Sequence, residues 1–259
     1  MKIVGIIPAR MGSSRFPGKP LEKICGIPMI GHVYFRSKMA DLLDDVYVAT
    51  CDKQIKDYIE SIDGKAIMTS DKHKRASDRV AEALLKIEKE TGEKVNIVVM
   101  IQGDEPMIFP EMINQSVEPL INDKKIVVSN LMAIIKSSQE HNDSNEVKVV
   151  FDKQKFALYF SREPIPSSKK EPNENHMYKQ VCIIPFTRDF LIKFNKLEPT
   201  PLEIIESVDM LRVLEHGYKV KMILTKYDTY SVDTIDDLKH VEKLMKKDKL
   251  IKCYIKNVH

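Results

Sequence analysis

The chain has 259 residues and a formal net charge of +3, with 43% hydrophobic and 31% charged residues. That length suits one large α/β domain that buries its core without staples, and the balanced charge excludes a nucleic-acid-binding surface. Four scattered cysteines (Cys25, Cys51, Cys182, Cys253) lack any C-x-x-C pair, and seven histidines form no H-E-x-x-H, which excludes a disulfide framework and a structural zinc site. A core strand beginning at Ile3 leaves no room for a signal peptide, and no apolar run reaches transmembrane length, so a cytoplasmic protein without membrane insertion is expected.

The first predicted element, Lys2–Pro8, is a short apolar run of the kind that forms a fully buried parallel strand. It empties into Ala9-Arg10-Met11-Gly12-Ser13-Ser14-Arg15-Phe16-Pro17-Gly18-Lys19-Pro20. Carboxyl ends of such strands face the ligand crevice of open α/β sheets. Arg10, Arg15 and Lys19 would place three positive charges there, and Gly12, Ser13 and Gly18 would let backbone N–H groups approach, which makes a polyphosphate cradle. The competing reading is a solvated surface loop with ordinary basic residues. A Walker loop is excluded by spacing: five residues separate Gly12 from Gly18, and Pro20 follows Lys19 where Ser or Thr is required.

Strands at Asp45–Ala49, Lys65–Met68, Val95–Ile101 and Ile126–Met132 alternate with helices around Met29–Met39, Lys53–Ile62, Ser77–Glu90 and Glu111–Asn122. This rhythm predicts a mainly parallel, doubly wound sheet. It breaks after Asn142. Strand-like runs then appear at Val147–Phe151, Phe156–Phe160 and Val181–Phe186, with a polar loop at Pro166–Asn175 that reads as a mobile lid. A helix over Pro201–Glu215, a strand at Tyr218–Leu224 and a closing helix near Asp236 complete the chain, and the lysine-rich stretch Lys239–Lys252 reads as a solvated amphipathic helix. One domain is expected, divided into a nucleotide-binding half (1–142) and an acceptor-binding and dimerisation half (143–259).

Two acidic positions follow strands. Asp104, in Gln102-Gly103-Asp104-Glu105-Pro106, suits a divalent ion held against phosphate, because Mg²⁺ takes one or two carboxylates plus phosphate oxygens and water. The alternative is a turn cap beside Glu105-Pro106. Asp233 is a second candidate ligand, with helix capping as its alternative. A phosphate cradle with two metal carboxylates suits attack on an α-phosphate with pyrophosphate leaving.

Ile6-Ile7-Pro8-Ala9-Arg10, Arg15-Phe16-Pro17-Gly18-Lys19-Pro20-Leu21, Gln102-Gly103-Asp104-Glu105-Pro106-Met107-Ile108, Val147-Lys148-Val149-Val150, Ala157-Leu158-Tyr159-Phe160-Ser161-Arg162 and Val232-Asp233-Thr234 together resemble the 3-deoxy-manno-octulosonate (KDO) cytidylyltransferase family, in the same order over nearly the whole chain. The resemblance implies a Rossmann-like, GT-A-type α/β fold, with a mainly parallel sheet and an antiparallel C-terminal extension for acceptor binding and dimerisation. It also implies a homodimer and Mg²⁺-dependent transfer of CMP from CTP to the anomeric hydroxyl of an acidic sugar. Carried over by residue, Lys19, Arg10, Asp104 and Asp233 are catalytic, the two aspartates as metal ligands. Pro8, Ala9, Arg10, Arg15, Lys19, Arg75, Ser77, Arg79 and Gln102 hold the nucleotide. Arg162, Gln180, Ile184, Glu206, Asp209 and Met210 line the acceptor side, where the planar fork of Arg162 suits a carboxylate.

The chain departs from the family in places. The family's S-G-T-E-R reads Arg75-Ala76-Ser77-Asp78-Arg79. Its sugar-facing histidine and tyrosine are Gln180 and Ile184, and its E-Q-L-R is Asp209-Met210-Leu211-Arg212. The kept phosphate and metal residues with a changed acceptor side point within this family to an acceptor other than unmodified KDO, such as an amino-KDO, a nonulosonic acid or a phosphonic acid, with KDO itself or a close relative as the family's expectation. A GT-A glycosyltransferase would carry a D-x-D spacing that is missing from Gln102-Gly103-Asp104-Glu105, and a non-catalytic nucleotide-binding regulator would be expected to lose Lys19, Asp104 or Asp233.

Overall fold

Strand β1 (Ile3–Ala9) is buried at every position, as a strand covered on both faces must be. The computed structural model describes residues 1–12, 16–167 and 177–255. The chain divides into two compact units, the first formed by Met1–Asn114 with Thr229–His259 and the second by Gln115–Asp228.

In the first unit, a small ribbon of β2 (Lys23–Ile24) and β3 (Ile27–Pro28) precedes α1 (Met29–Lys38), β4 (Asp45–Thr50), α2 (Lys53–Ser61), β5 (Lys65–Met68), α3 (Ala76–Thr91) and β6 (Ile97–Ile101), and α4 (Pro110–Asn122) leads onward. Within this unit the strands lie in the order β6-β1-β4-β5, every pair parallel, with Ile6 opposite Tyr47 on one side and Met100 on the other. The βαβ rhythm read from the sequence is the observed one as far as β6; the strand expected at Ile126–Met132 forms at Ser129–Ile134 and joins the sheet of the second unit, so the parallel series breaks before Asn142. Sequence order runs outward from β1 through β4 to β5, then jumps to β6 on the other flank. This reversal is a topological switch point, and it opens the crevice at the carboxyl ends of β1 and β6.

The second unit holds β7 (Ser129–Ile134), α5 (Ser138–Asn142), β8 (Lys148–Phe151), β9 (Ala157–Ser161), β10 (Tyr178–Val181), β11 (Ile183–Thr187), α6 (Arg188–Phe194), α7 (Pro201–Glu206), α8 (Asp209–Glu215) and β12 (Lys221–Leu224). Its sheet runs β12-β7-β10-β8-β9 and is antiparallel except for the parallel pair β12 with β7. A bridge between Phe156 and Lys221 ties the two outer strands together.

Three expected elements divide. The single strand over Val181–Phe186 is two, β10 and β11, parted at Cys182. The single helix over Pro201–Glu215 is α7 and α8, because Ser207 adopts a left-handed conformation (φ 53, ψ 49) that ends α7. The closing segment is α9 (Ile235–Met245) followed by a separate turn of helix, α10 (Ile251–Tyr254). It is not solely a solvated face, since Val241, Met245, Ile251 and Tyr254 pack with Phe16, Ile24, Ile27, Met29, Met107 and Val232 in one buried cluster. Each such side chain contributes about 1.5–3 kcal/mol by leaving water. The cluster therefore ties the C-terminal helices to the loop carrying Phe16 and Lys19. The lid expected at Pro166–Asn175 falls mostly outside the described residues.

Candidate active site

A cleft of about 320 Å³ in the first unit lies at the carboxyl ends of β1 and β6, bounded by Pro8 and Ala9 from one strand and Gln102 and Gly103 after the other. Gly103 is there because backbone passes close by: a Cβ would meet the Pro8 carbonyl at 3.1 Å and Ile30 Cδ1 at 3.2 Å. Arg10 leaves the end of β1 and lines the cleft. The Met11 N–H then donates to Asp52 Oδ2 at 2.8 Å, and the Gly18 N–H returns to the Met11 carbonyl at 3.0 Å. Gly18 takes φ +79, a conformation that favours glycine, and delivers the chain into a short 3₁₀ turn, Lys19–Leu21. The helix a Walker loop requires is not formed there. Arg15 and Ser13 lie outside the described residues.

Lys19 is buried, and its ammonium donates to Asp104 Oδ2 at 3.0 Å and to Asp233 Oδ1 at 3.2 Å. Two loops far apart in sequence thus bring their carboxylates to one cation. The Val232 N–H, donating to the Asp104 carbonyl at 2.9 Å, holds those loops in register. Capping at the start of α9 falls to Thr234 and not to Asp233: the Thr234 hydroxyl accepts from the Asp237 N–H at 3.2 Å, and the Asp237 carboxylate accepts from the Thr234 N–H at 2.8 Å. The Asp233 side chain is turned to Lys19 instead.

The other wall comes from the start of α3. The Arg75 guanidinium forks onto Asp78, Nε to Oδ2 at 3.0 Å and Nη2 to Oδ1 at 2.7 Å, while lining the cleft. Ser77 is fully buried and is not among the cleft residues. Arg79 is 3% exposed; its Nη1 donates to the Thr69 hydroxyl, and its buried Nη2 has no hydrogen-bond partner among the described residues. A buried guanidinium nitrogen without an acceptor is costly, and Arg79 itself lines the cleft. Sequence reasoning missed His73 and Lys74, which also line this wall. His73 pairs with Glu82, whose carboxyl sits at about 2: burial pushes it up, but Lys86, the Ser70 N–H and His73 together outweigh that. Nothing in the local pattern before α3 singles out His73.

The expected acceptor residues lie in the second unit. Glu206 accepts from the Ser161 hydroxyl at 2.9 Å, the Tyr159 hydroxyl at 3.2 Å and the Arg162 N–H at 2.7 Å. Burial raises its pKa, but these donors, the Arg162 N–H first, hold it below the ordinary carboxylate range. The Arg162 guanidinium is directed to backbone carbonyls, Nε to Glu206 at 2.6 Å and Nη1 to Ser144 at 2.9 Å. Gln180 Nε2 donates to Asn130 Oδ1 at 2.6 Å. Asp209 opens α8 at its first position. Ile184 and Met210 are core residues, 3% and 0% exposed, so their side chains offer almost no surface to an acceptor.

The cytidylyltransferase family model matches residues 4–224. A 3-deoxy-manno-octulosonate cytidylyltransferase of Geobacter metallireducens is 41% identical over 255 residues, covering 94% of this chain and 98% of its own length. One from Thermodesulfovibrio yellowstonii is 43% identical over 252 residues, covering 95% and 98%. The chain belongs to the 3-deoxy-manno-octulosonate cytidylyltransferase family. It is a nucleotidyltransferase. Among solved structures, a CMP:2-keto-3-deoxy-manno-octonic acid synthetase complexed with CTP superposes with a TM-score of 0.87 at 36% identity, covering 95% of this chain and 99% of that one. The α/β fold with its mainly parallel sheet is thus the fold of a cytidylyltransferase. Among the described residues, no helix is long and apolar enough to cross a membrane.

Proposed function

We propose that the protein transfers CMP from CTP to the anomeric hydroxyl of KDO: the hydroxyl oxygen bonds to the α-phosphorus, the bond to the β-phosphate oxygen breaks, and pyrophosphate leaves. The observation that carries this reading is the meeting of Lys19 with Asp104 and Asp233 beside the crevice of β1 and β6. Arg10 and Lys19 bind the triphosphate from the cleft, and Arg15, outside the described residues, keeps the same role only on the family resemblance. Pro8, Ala9, Gln102 and Arg79, all lining the cleft, hold the nucleoside. Arg75 and Ser77 support that wall. Glu206 is a clamp for Arg162 and no general base, because its oxygens already accept three donors and its proton affinity is lowered. An anomeric hydroxyl is acidic enough to react without a strong base.

Asp104 and Asp233 suit Mg²⁺. A cation already bridges them, in the form of the Lys19 ammonium, and among the described residues no cluster of three or more His, Cys, Asp or Glu side chains offers a fuller cage. Two carboxylates completed by phosphate oxygens and water match the habit of Mg²⁺. Such an ion would neutralise charge on the phosphates as pyrophosphate departs.

KDO is preferred over an altered acid, because two of the substitutions that suggested one, Ile184 and Met210, sit in the core. Arg162, Gln180 and Asp209 stay acceptor candidates in the second unit, Arg162 for the sugar carboxylate once its guanidinium gives up a backbone carbonyl. Homodimerisation is supported by large apolar side chains left in water on β9 and α7: Leu158 is 61% exposed, Ile204 68% and Ile205 75%. The free cysteines suit the cytoplasm. The decisive assay is pyrophosphate release over a matrix of nucleoside triphosphates and acidic sugars. CTP with KDO should outrun every other pair, and a faster pair would replace this reading.

A further inference from the structure

The two carboxylates of the site are held together by a lysine. Lys19 Nζ sits 3.0 Å from Asp104 Oδ2 and 3.2 Å from Asp233 Oδ1, and its side chain is 10% exposed against 32% and 24% for the aspartates. This placement is built in. Gly18 and the 3₁₀ turn fix the backbone at Lys19, the Phe16 side chain anchors the preceding loop in the buried cluster, and the Val232 to Asp104 hydrogen bond brings the second carboxylate to the first. One buried ammonium therefore half-neutralises a pair of carboxylates that would otherwise repel across a short gap. A divalent ion approaching the same two oxygens meets that ammonium at close range, and like charges in a partly buried site are costly.

We propose that Lys19 is the resident cation of the nucleotide-free site and that a divalent ion binds well only with nucleotide, because the phosphates give the ammonium new acceptors. Lys19 then changes partners, from carboxylate to phosphate, as the site fills. Metal and nucleotide are thereby thermodynamically linked: each must raise the affinity of the other by the same factor. The inference rests on the metal reading of Asp104 and Asp233.

The test is Mn²⁺ binding followed by the electron paramagnetic resonance of the free ion, with and without a CTP analogue carrying a methylene group between the α- and β-phosphates. Expected for the native protein is weak binding alone and at least tenfold tighter binding with the analogue, beyond what the analogue binds by itself. Lys19→Met and Lys19→Gln should bind Mn²⁺ without nucleotide at least tenfold more tightly than the native protein, while Lys19→Arg, which keeps the charge, should resemble the native protein. If the neutral variants, with native circular dichroism, bind the ion no more tightly, the proposal is overturned. It is overturned equally, with no variant needed, if the native protein holds Mn²⁺ as tightly without the analogue as with it. The metal reading itself fails by a different result: an Asp104→Asn protein that forms the ternary complex with undiminished Mn²⁺ affinity.

Discussion

His32 is fully enclosed, with Nδ1 2.8 Å from the Tyr254 hydroxyl and Nε2 2.8 Å from the Ile24 carbonyl. Tyr254 also accepts from Arg36 Nε at 3.1 Å. The network assigns the tautomer: Nε2–H donates to Ile24, and Nδ1 accepts from a hydroxyl that is itself polarised by Arg36. A second ring proton would take away the acceptor Tyr254 needs and place two cations side by side, with Asp248, paired to Arg36, as the carboxylate that acts on both. Burial, aided by Arg36, lowers the imidazole pKa from 6.5 to about 4 despite the carbonyl at Ile24. The folded value lies below the unfolded one, so the unfolded chain binds the extra proton and stability falls as pH drops below 6.5. Integrating between about pH 7.5 and about pH 5 gives a loss of about 2 kcal/mol, on the order of 1.4 kcal/mol per pH unit over the steep part. Carboxylates with lowered values, Glu82, Glu206 and Asp45, add their losses only as pH falls below the ordinary carboxylate range, outside this window. Urea titrations across the window should show the midpoint falling with acid at constant slope, and His32→Gln should abolish the dependence. A native midpoint indifferent to pH, or the same dependence in His32→Gln, would refute the argument.

Asp104→Ala should lower pyrophosphate release by about 10²-fold or more with unchanged circular dichroism; near-native turnover in a folded variant would remove Asp104 from the machinery. Arg212, 1% exposed and forked onto Glu203 at 2.6 and 2.5 Å, joins α7 to α8. Arg212→Leu strands a buried carboxylate and should cost about 3–5 kcal/mol by urea unfolding, and adding Glu203→Leu should restore part of it. Gly103→Ala drives a methyl against the Pro8 carbonyl and should cost about 1–3 kcal/mol in thermal unfolding, with a raised KM for CTP because β1 must yield at the cleft.

The parallel core and the basic side of the cleft were legible because both announce themselves locally. A strand buried on both faces reads as an unbroken apolar run, and the cations follow it directly. Asp233 was ambiguous in sequence because an aspartate and a threonine before a helix are equally good caps; the reciprocal Thr234–Asp237 pair decides between them. The break between α7 and α8 carries no glycine or proline, only Ser207, and the apolar spacing runs on across it. The links from His32 and Arg36 to Tyr254 join residues more than 200 positions apart, and no local pattern encodes such a pairing. The core positions of Ile184 and Met210 were hidden for a similar reason. A resemblance names the position where a family contacts its sugar, but only packing decides which way an apolar replacement turns.

The first unit is discontinuous: its chain departs at Asn114 and returns at Thr229, bringing Asp233, α9 and α10. During synthesis the ribosome therefore delivers Lys19 and Asp104 long before their third partner. Until residues beyond 229 emerge, the loop carrying Phe16 lacks much of its apolar cover, and the buried polar groups of α1 lack Tyr254 and Asp248. Domains generally fold as units once their chain is available. A growing chain stalled before Thr229 would hold an incomplete unit with uncovered apolar surface and an unpaired charge, the kind of surface on which chaperones act. The cleft that joins Lys19 and Asp104 to Asp233 thus closes only after the chain beyond Thr229 has emerged.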